Sequence, residues 1–227
     1  MKKLYILILA VLPLPGKVRG GLYRLLYPGR IGKDFEIGWL SFIFSKEISI
    51  GTGVHIKRNV KIRNLDVLKI DDSCEIGSGC EIHGVPDNIQ FQKRIFEVGK
   101  NTGIGSAHYF DVAAPIQIGS HVIIAGFQSQ FFTHSFDLNS DRMDGGIRIG
   151  NHVYIGTRCL VTPGVKICSQ AVITGMTTVN KSISETGVYS SSTLFRRGSV
   201  REYKQMLAHC EAKVLSTGQT AFSLPSE

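Results

Sequence analysis

Between Ile149 and Val179 an aliphatic residue stands at every sixth position: Ile149, Ile155, Val161, Ile167, Ile173 and Val179. Neither a helix of period 3.6 nor a strand of period 2 holds that phase alone, so the pattern predicts a repeating supersecondary unit. Four residues after each aliphatic come Val153, Cys159, Val165, Ala171 and Thr177, all small or β-branched. Six is even, so both positions lie on one face of short extended segments. Gly150 and Gly156, directly after the first two aliphatics, suit tight corners. A single hexad buries almost nothing, whereas stacked hexads share one aliphatic column.

Upstream the period persists with interruptions. It is faint at Ile31 and Ile37, then clear at Ile50, Ile56, Ile62 and Leu68, with Val54 and Val60 in the inner slots. The phase slips by two and resumes as Ile70, Ile76 and Ile82, with Cys74 and Cys80 inside. Val98, Ile104, Phe110 and Ile116 follow, and after another slip Ile118, Ile124 and Gln130. Polar breaks predict loop excursions near 84–96 and 133–146; the second carries His134, Asp137, Asn139, Asp141, Arg142 and Asp144. Beyond about Ser190, Val200, Tyr203, Leu207, Cys210 and Val214 recur every three or four residues, which predicts one amphipathic helix followed by a flexible tail. The chain therefore divides into an N-terminal arm (1–30), a repeat domain (31–190) and a C-terminal helix and tail (191–227), with length enough for one substantial core.

The net charge of +8 is localised. Lys2, Lys3, Lys17, Arg19, Arg24, Arg30 and Lys33 supply +7 within residues 1–33, which contain no acid, and the remainder holds only +1. This excludes a broad nucleic-acid face. The apolar run 4–12 is too short for a bilayer, which needs about twenty apolar residues. Lys2 and Lys3 before it imitate a signal peptide, but no small-x-small cleavage site follows cleanly. The arm reads instead as a basic apolar segment lying on an anionic membrane surface or across the end of the repeat stack. Five cysteines, an odd number without a CxxC pair, read as small core residues in a reducing compartment.

The hexads resemble the hexapeptide-repeat acyltransferases, in particular the sugar and polysaccharide O-acetyltransferase branch that includes galactoside and maltose acetyltransferases. The resemblance covers roughly residues 31–190. It implies an all-β fold, a left-handed parallel β-helix with three hexads per coil, a homotrimer, acetyl-CoA as donor and a sugar as acceptor. In that branch a Thr-His pair at the start of an excursion supplies the catalytic base, and Thr133-His134 occupies that place. An imidazole titrates near neutrality, so it can take the acceptor hydroxyl's proton and return it to the departing thiolate. No Cys or Ser is paired with a base in a motif, which points to direct transfer in a ternary complex. On position alone, a loop histidine without a role is the alternative.

Other site candidates follow from the resemblance. Asp111 is placed to bind a sugar hydroxyl or orient the base, and reads equally as a corner aspartate. Where the family often carries Asn four residues earlier, this chain has Ala107, and His108 is the candidate to replace it in acceptor binding. Thr157 and Gly175 are 18 residues apart, one coil, and would stack on the edge that receives the pantetheine arm, a neighbouring subunit forming the other wall. Asn180 and Lys181 match the polar and basic pair facing CoA phosphate. The usual closing loop is replaced by Ser191-Ser192-Thr193-Leu194-Phe195-Arg196-Arg197, in which Arg196 or Arg197 is left to serve the phosphates.

The implied function is acetyl-CoA-dependent O-acetylation of a sugar hydroxyl in surface polysaccharide or lipopolysaccharide synthesis. The implied location is cytoplasmic, with the arm at the inner face of the membrane near a lipid-linked acceptor; no metal is expected. Serine acetyltransferases are disfavoured because no long helical domain precedes the repeats. The γ-type carbonic anhydrases need two histidines five apart, and His55, His83, His108, His121, His134, His152 and His209 provide none. A non-catalytic β-helix scaffold is the alternative, favoured by Ala107 and the altered 191–197 segment and opposed by the intact Thr133-His134 pair.

Overall fold

The computed structural model describes residues 2–89, 92–136, 142–190 and 195–198. The helix and tail expected over 200–227 lie outside the described residues, as do Asp137, Asn139 and Asp141 of the second excursion.

The hexad aliphatics stack as three columns of parallel strands. Face one carries Ile37, Ile56, Ile76, Ile104, Ile124, Ile155 and Ile173 in register. Face two carries Ile43, Ile62, Ile82, Phe110, Phe131, Val161 and Val179. Face three carries Ile50, Ile70, Val98, Ile118, Ile149 and Ile167. Nearly all of these are fully buried, together with Cys74, Cys80 and Cys159 in the small inner slots. Each hexad advances the chain by one face, so three complete a coil and each strand pairs with the coil above and below.

The two-residue slip is placed differently from the spacing alone. Leu68 and Ile70 are not separate hexads: both point inward on face three, where they pair with Phe96 and Val98, and these with Ile116 and Ile118. Residues i and i+2 of a strand share a face, so the extra pair of residues is accommodated earlier, at the corner between faces two and three. That corner also holds both excursions, 85–94 and 133–146, before it closes to the tight turn Thr162-Pro163-Gly164. The other two corners are regular stacks of left-handed residues, with Asn59, Ala107, Gln128, Arg158 and Met176 on one and Ser73, Asn101, His121, His152 and Gln170 on the other. One edge of the prism thus collects the long insertions; the corner between faces one and two takes a single extra residue after Ile124, which puts Phe131 in the column in place of the expected Gln130.

The first excursion is anchored by a buried cation. Arg94, 2% exposed, reaches Asp66 Oδ1 at 2.9 Å and Asp87 Oδ1 at 2.6 Å through Nη2. Its Nη1 donates to the Val85 carbonyl at 2.6 Å, and its backbone N–H donates to Asp66 Oδ2 at 3.0 Å. The guanidinium of Arg94, aided by Lys46, holds the Asp66 carboxyl well below the usual carboxylate range.

The arm is two helices, α1 (Lys2–Val11) and α2 (Gly16–Leu26), packed on the first coil. α1 docks through Ile6 and Ala10, and α2 through Arg19, Gly20 and Tyr23. At Gly20 a Cβ would lie 1.8 Å from the Phe35 carbonyl oxygen, so only glycine permits this approach. Arg19 is an anchor rather than part of a basic surface: it is 3% exposed and its Nε donates to the Ile37 carbonyl at 3.0 Å.

Candidate active site

The site forms at the insertion-bearing corner. On face two the strand Tyr109–Val112 pairs with Gln130–Phe132, so that Asp111 lies opposite Phe132. Past Phe132 the chain leaves the coil as a hairpin, His134–Phe136 against Arg142–Asp144. Register between coils therefore brings Asp111 to His134, and Asp111 Oδ2 lies 2.6 Å from His134 Nδ1. An ionised carboxylate can only accept, so an imidazole that gives Nδ1–H to it would offer Nε2 as its basic nitrogen. The carboxylate is shielded while the imidazole is open, with side-chain exposures of 7% and 28%.

Thr133 sets this geometry. Fully buried, its hydroxyl donates to the Asp111 carbonyl at 2.8 Å and accepts from the N–H groups of Ala113 at 2.7 Å and Ala114 at 2.9 Å. Its own carbonyl accepts from Gly145 N–H at 2.8 Å, closing the base of the excursion. Thr133→Val keeps the shape but strands two buried N–H groups, each costing about 1–3 kcal/mol. We expect a loss of about 2–5 kcal/mol in denaturant unfolding together with a fall in turnover; unchanged stability would show that water replaces the hydroxyl.

His108 faces the interior. It is 1% exposed and its Nδ1 accepts from Ser129 N–H at 3.0 Å, which sets it in the coil wall instead of on the acceptor side. Burial pushes its pKa down to about 4. An unfolded histidine titrates near 6.5, so the unfolded chain binds the extra proton first. Stability from this group is fully present above about pH 6.5 and is lost as pH falls toward 4, on the order of 3 kcal/mol. The melting temperature of His108→Asn is expected to vary less with pH across that window than that of the wild type; parallel curves would contradict this.

Thr157 and Gly175 stack as expected. A Cβ on Gly175 would lie 3.2 Å from Thr157 Cγ2, and Met176 N–H donates to the Thr157 carbonyl at 2.8 Å. The Thr157 hydroxyl donates to the Phe127 carbonyl at 3.0 Å and accepts from its N–H at 3.2 Å. Sequence reasoning missed three neighbours on this edge: exposed Phe127 and Met176, and Arg158, whose guanidinium lies 5.0 Å from the Phe127 ring centroid. The available signal was position, since Arg158 and Met176 are corner residues one after Thr157 and Gly175, and Phe127 directly precedes the corner residue Gln128. Asn180 and Lys181 are exposed where the last face-two strand ends. The backbone of Arg196 pairs with Tyr189; its side chain lies outside the described residues.

The two groups of candidate residues stand on different edges. Thr157 and Gly175 occupy the corner between faces one and two, whereas Asp111 and His134 occupy the corner between faces two and three. Five residues of extended chain separate Thr157 from Thr162, roughly 16 Å. A cavity of about 540 Å³ lies elsewhere, between α1 and the first excursion, lined among others by Lys3, Ile6, Tyr27, Phe44, Leu65 and Arg94. Among the described residues no group of three or more His, Cys, Asp or Glu is placed to hold a metal ion.

No family model matches the chain. It is 32% identical over 91 residues to "Putative acetyltransferase YvoF" of Bacillus subtilis, covering 39% of this chain and 52% of that one. It is 28% identical over 151 residues to the UDP-3-O-acylglucosamine N-acyltransferase of Hahella chejuensis, covering 64% of this chain and 37% of that one. The chain thus spans about half or less of the curated relatives it matches. Among solved structures, the UDP-N-acetylglucosamine acyltransferase from Campylobacter jejuni aligns with a TM-score of 0.53 at 16% identity, covering 84% of this chain and 81% of that one. The polysialic acid O-acetyltransferase OatWY aligns at 0.51 and 20% identity, covering 75% and 85%. A hexapeptide-repeat-containing acetyltransferase from Vibrio cholerae, complexed with acetyl coenzyme A, aligns at 0.50 and 18% identity, covering 88% and 86%. Stacked hexads, parallel register on three faces and these likenesses together give the chain the left-handed parallel β-helix fold of the hexapeptide-repeat acyltransferases.

Proposed function

We propose that the chain is an acetyl-CoA-dependent O-acetyltransferase acting on a sugar hydroxyl, with His134 as general base and Asp111 as the residue that orients it. The observation that carries this is the 2.6 Å contact between Asp111 Oδ2 and His134 Nδ1. His134 Nε2 takes the hydroxyl proton as the acceptor oxygen attacks the thioester carbonyl. Asp111 stabilises the imidazolium, which then gives the proton to the leaving CoA thiolate. Transfer is direct. The described cysteines are poor nucleophiles, since burial raises the thiols of Cys74, Cys80, Cys159 and Cys168, that of Cys80 to about 11.

Acetyl-CoA enters as the second substrate. Thr157, Gly175 and the apolar Phe127 and Met176 suit the pantetheine arm, and Asn180, Lys181 and Arg196 are assigned to the phosphates. The base and this donor edge are one face apart within a chain, so a second copy must bring its donor edge to His134. A homotrimer, each copy serving its neighbour, meets that need. The relatives' names support saccharide acceptors, and we place the reaction in surface polysaccharide or lipopolysaccharide synthesis, in the cytoplasm, on an acceptor that is free or lipid-linked. The intact His134–Asp111 pair weighs against a non-catalytic scaffold.

The test is CoA release from acetyl-CoA across a panel of sugars and nucleotide sugars, with product mass measured. Acceptor-dependent release and a product heavier by one acetyl group are expected. Failure to bind acetyl-CoA at all would overturn the proposal in favour of the scaffold.

A further inference from the structure

α1 is apolar around its whole circumference, from Leu4 through Val11. A helix of that kind is ordinarily buried on every side, yet the coil covers only Ile6 and Ala10 fully. Leu4, Leu7 and Val11 remain 62%, 45% and 59% exposed, and Tyr5, Ile8 and Leu12 are exposed beside them. Leu25 of α2, 77% exposed, and Trp39, 49% exposed, extend the apolar surface. Trp39 is fixed at the C-terminal end of α1, where its Nε1 donates to the Val11 carbonyl at 3.1 Å. Lys3, Lys17, Arg24, Arg30 and Lys33 of the same arm are exposed, with no acid in residues 1–33; Lys17 Nζ lies 3.6 Å from Glu36 Oε1.

Charge decides between the two occupants that such a surface fits. A second copy seated on it would bring the same cations against one another, with only Asp34 and Glu36 near the arm to pair them and Glu36 already beside Lys17. An anionic bilayer offers apolar depth to the helix and opposite charge to its rim. No helix among the described residues is long and apolar enough to cross a membrane, which leaves α1 in the plane of the interface. We propose that the outer face of α1, with Leu25 and Trp39, docks on an anionic lipid surface, its flanking lysines and arginines paired with lipid phosphates. This stands on the arm alone and does not depend on the chemistry assigned to His134. Along face two, Phe131, three residues before His134, lies four strand spacings from Ile43 in the first coil, roughly 19 Å. That is within reach of a saccharide carried on a lipid.

Trp39 is the only tryptophan of the chain and therefore reports its own burial. The experiment titrates the full chain with phosphatidylcholine vesicles, with and without phosphatidylglycerol, following tryptophan emission and co-sedimentation. A Leu7→Glu/Val11→Glu variant is compared; both side chains are solvent-exposed, so its melting temperature should match the wild type. The expected result is a blue shift and co-sedimentation on the anionic vesicles, weakened by salt and at least about tenfold weaker in the variant. No response to anionic vesicles would overturn the proposal. So would a wild-type assembly that falls apart in the variant, which would show that another copy covers the face.

Discussion

Replacing His134 with alanine is expected to lower acceptor-dependent CoA release by about 10²–10⁴-fold, the range for loss of a general base. The loss should fall on turnover, with acetyl-CoA affinity unchanged, because the residues assigned to hold the donor do not include His134. The fold should survive, since the imidazole is partly exposed and lies outside the aliphatic columns. Asp111→Asn is the informative companion. Its amide can donate to Nδ1 and so favour the tautomer whose Nε2 is protonated and cannot act as a base. A loss of about 10²-fold or more is expected without change in the acetyl-CoA dissociation constant. If His134→Ala instead weakened acetyl-CoA binding and left turnover intact, His134 would be a donor-binding residue and the base would lie elsewhere.

The largest effect on stability is expected from Arg94→Met, which leaves Asp66 in place without its main partner. Removing one member of a buried ion pair costs about 3–5 kcal/mol, and here the Val85 carbonyl and Asp87 lose their donor as well. Equilibrium unfolding in urea measures it. The pH dependence gives an independent check. Asp66 has a depressed folded-state pKa, so its contribution is fully present above its unfolded value, about 3.9, and is lost as pH falls below that. In Arg94→Met that acid-side loss should shrink, because the cation chiefly responsible for the depression is gone. A cost below about 1 kcal/mol would mean that the first excursion does not depend on this cation.

Much of the fold was legible because a β-helix writes its inner column into the sequence. Every sixth residue had to be aliphatic from Ile149 to Val179, and no competing architecture keeps that phase. The position of the slip was not legible. Leu68 satisfies the six-residue count from Ile62 and also the two-residue count to Ile70, and only cross-coil pairing with Phe96 and Val98 separates the two. His134 stood out where repeat meets polar loop. The resemblance offered Asp111 as a residue to orient it or to bind a sugar hydroxyl, and the sequence did not choose between them, because the contact depends on the register between two adjacent coils. The inward turn of His108 was not legible either: it directly follows the left-handed corner residue Ala107 and is buried as the strand begins. Arg19 adds to the charge of the arm in the sequence, whereas its burial against the Ile37 carbonyl is set by tertiary packing. Along α1 no amphipathic period was available, since the run is apolar on all sides, and its contact face was set by tertiary packing alone.

The proposed site is assembled from two copies, His134 from one and the Thr157–Gly175 edge from the next. It is tested most directly by co-expressing His134→Ala with Gly175→Tyr, a donor-edge block, and assaying CoA release of the mixed assemblies. Each variant alone should be nearly inactive. Mixing should restore activity toward about a quarter of the wild-type rate, the share of interfaces at which an intact base meets an intact donor edge in randomly mixed rings. Mixed assemblies that form and remain as inactive as either parent would contradict a site shared between copies.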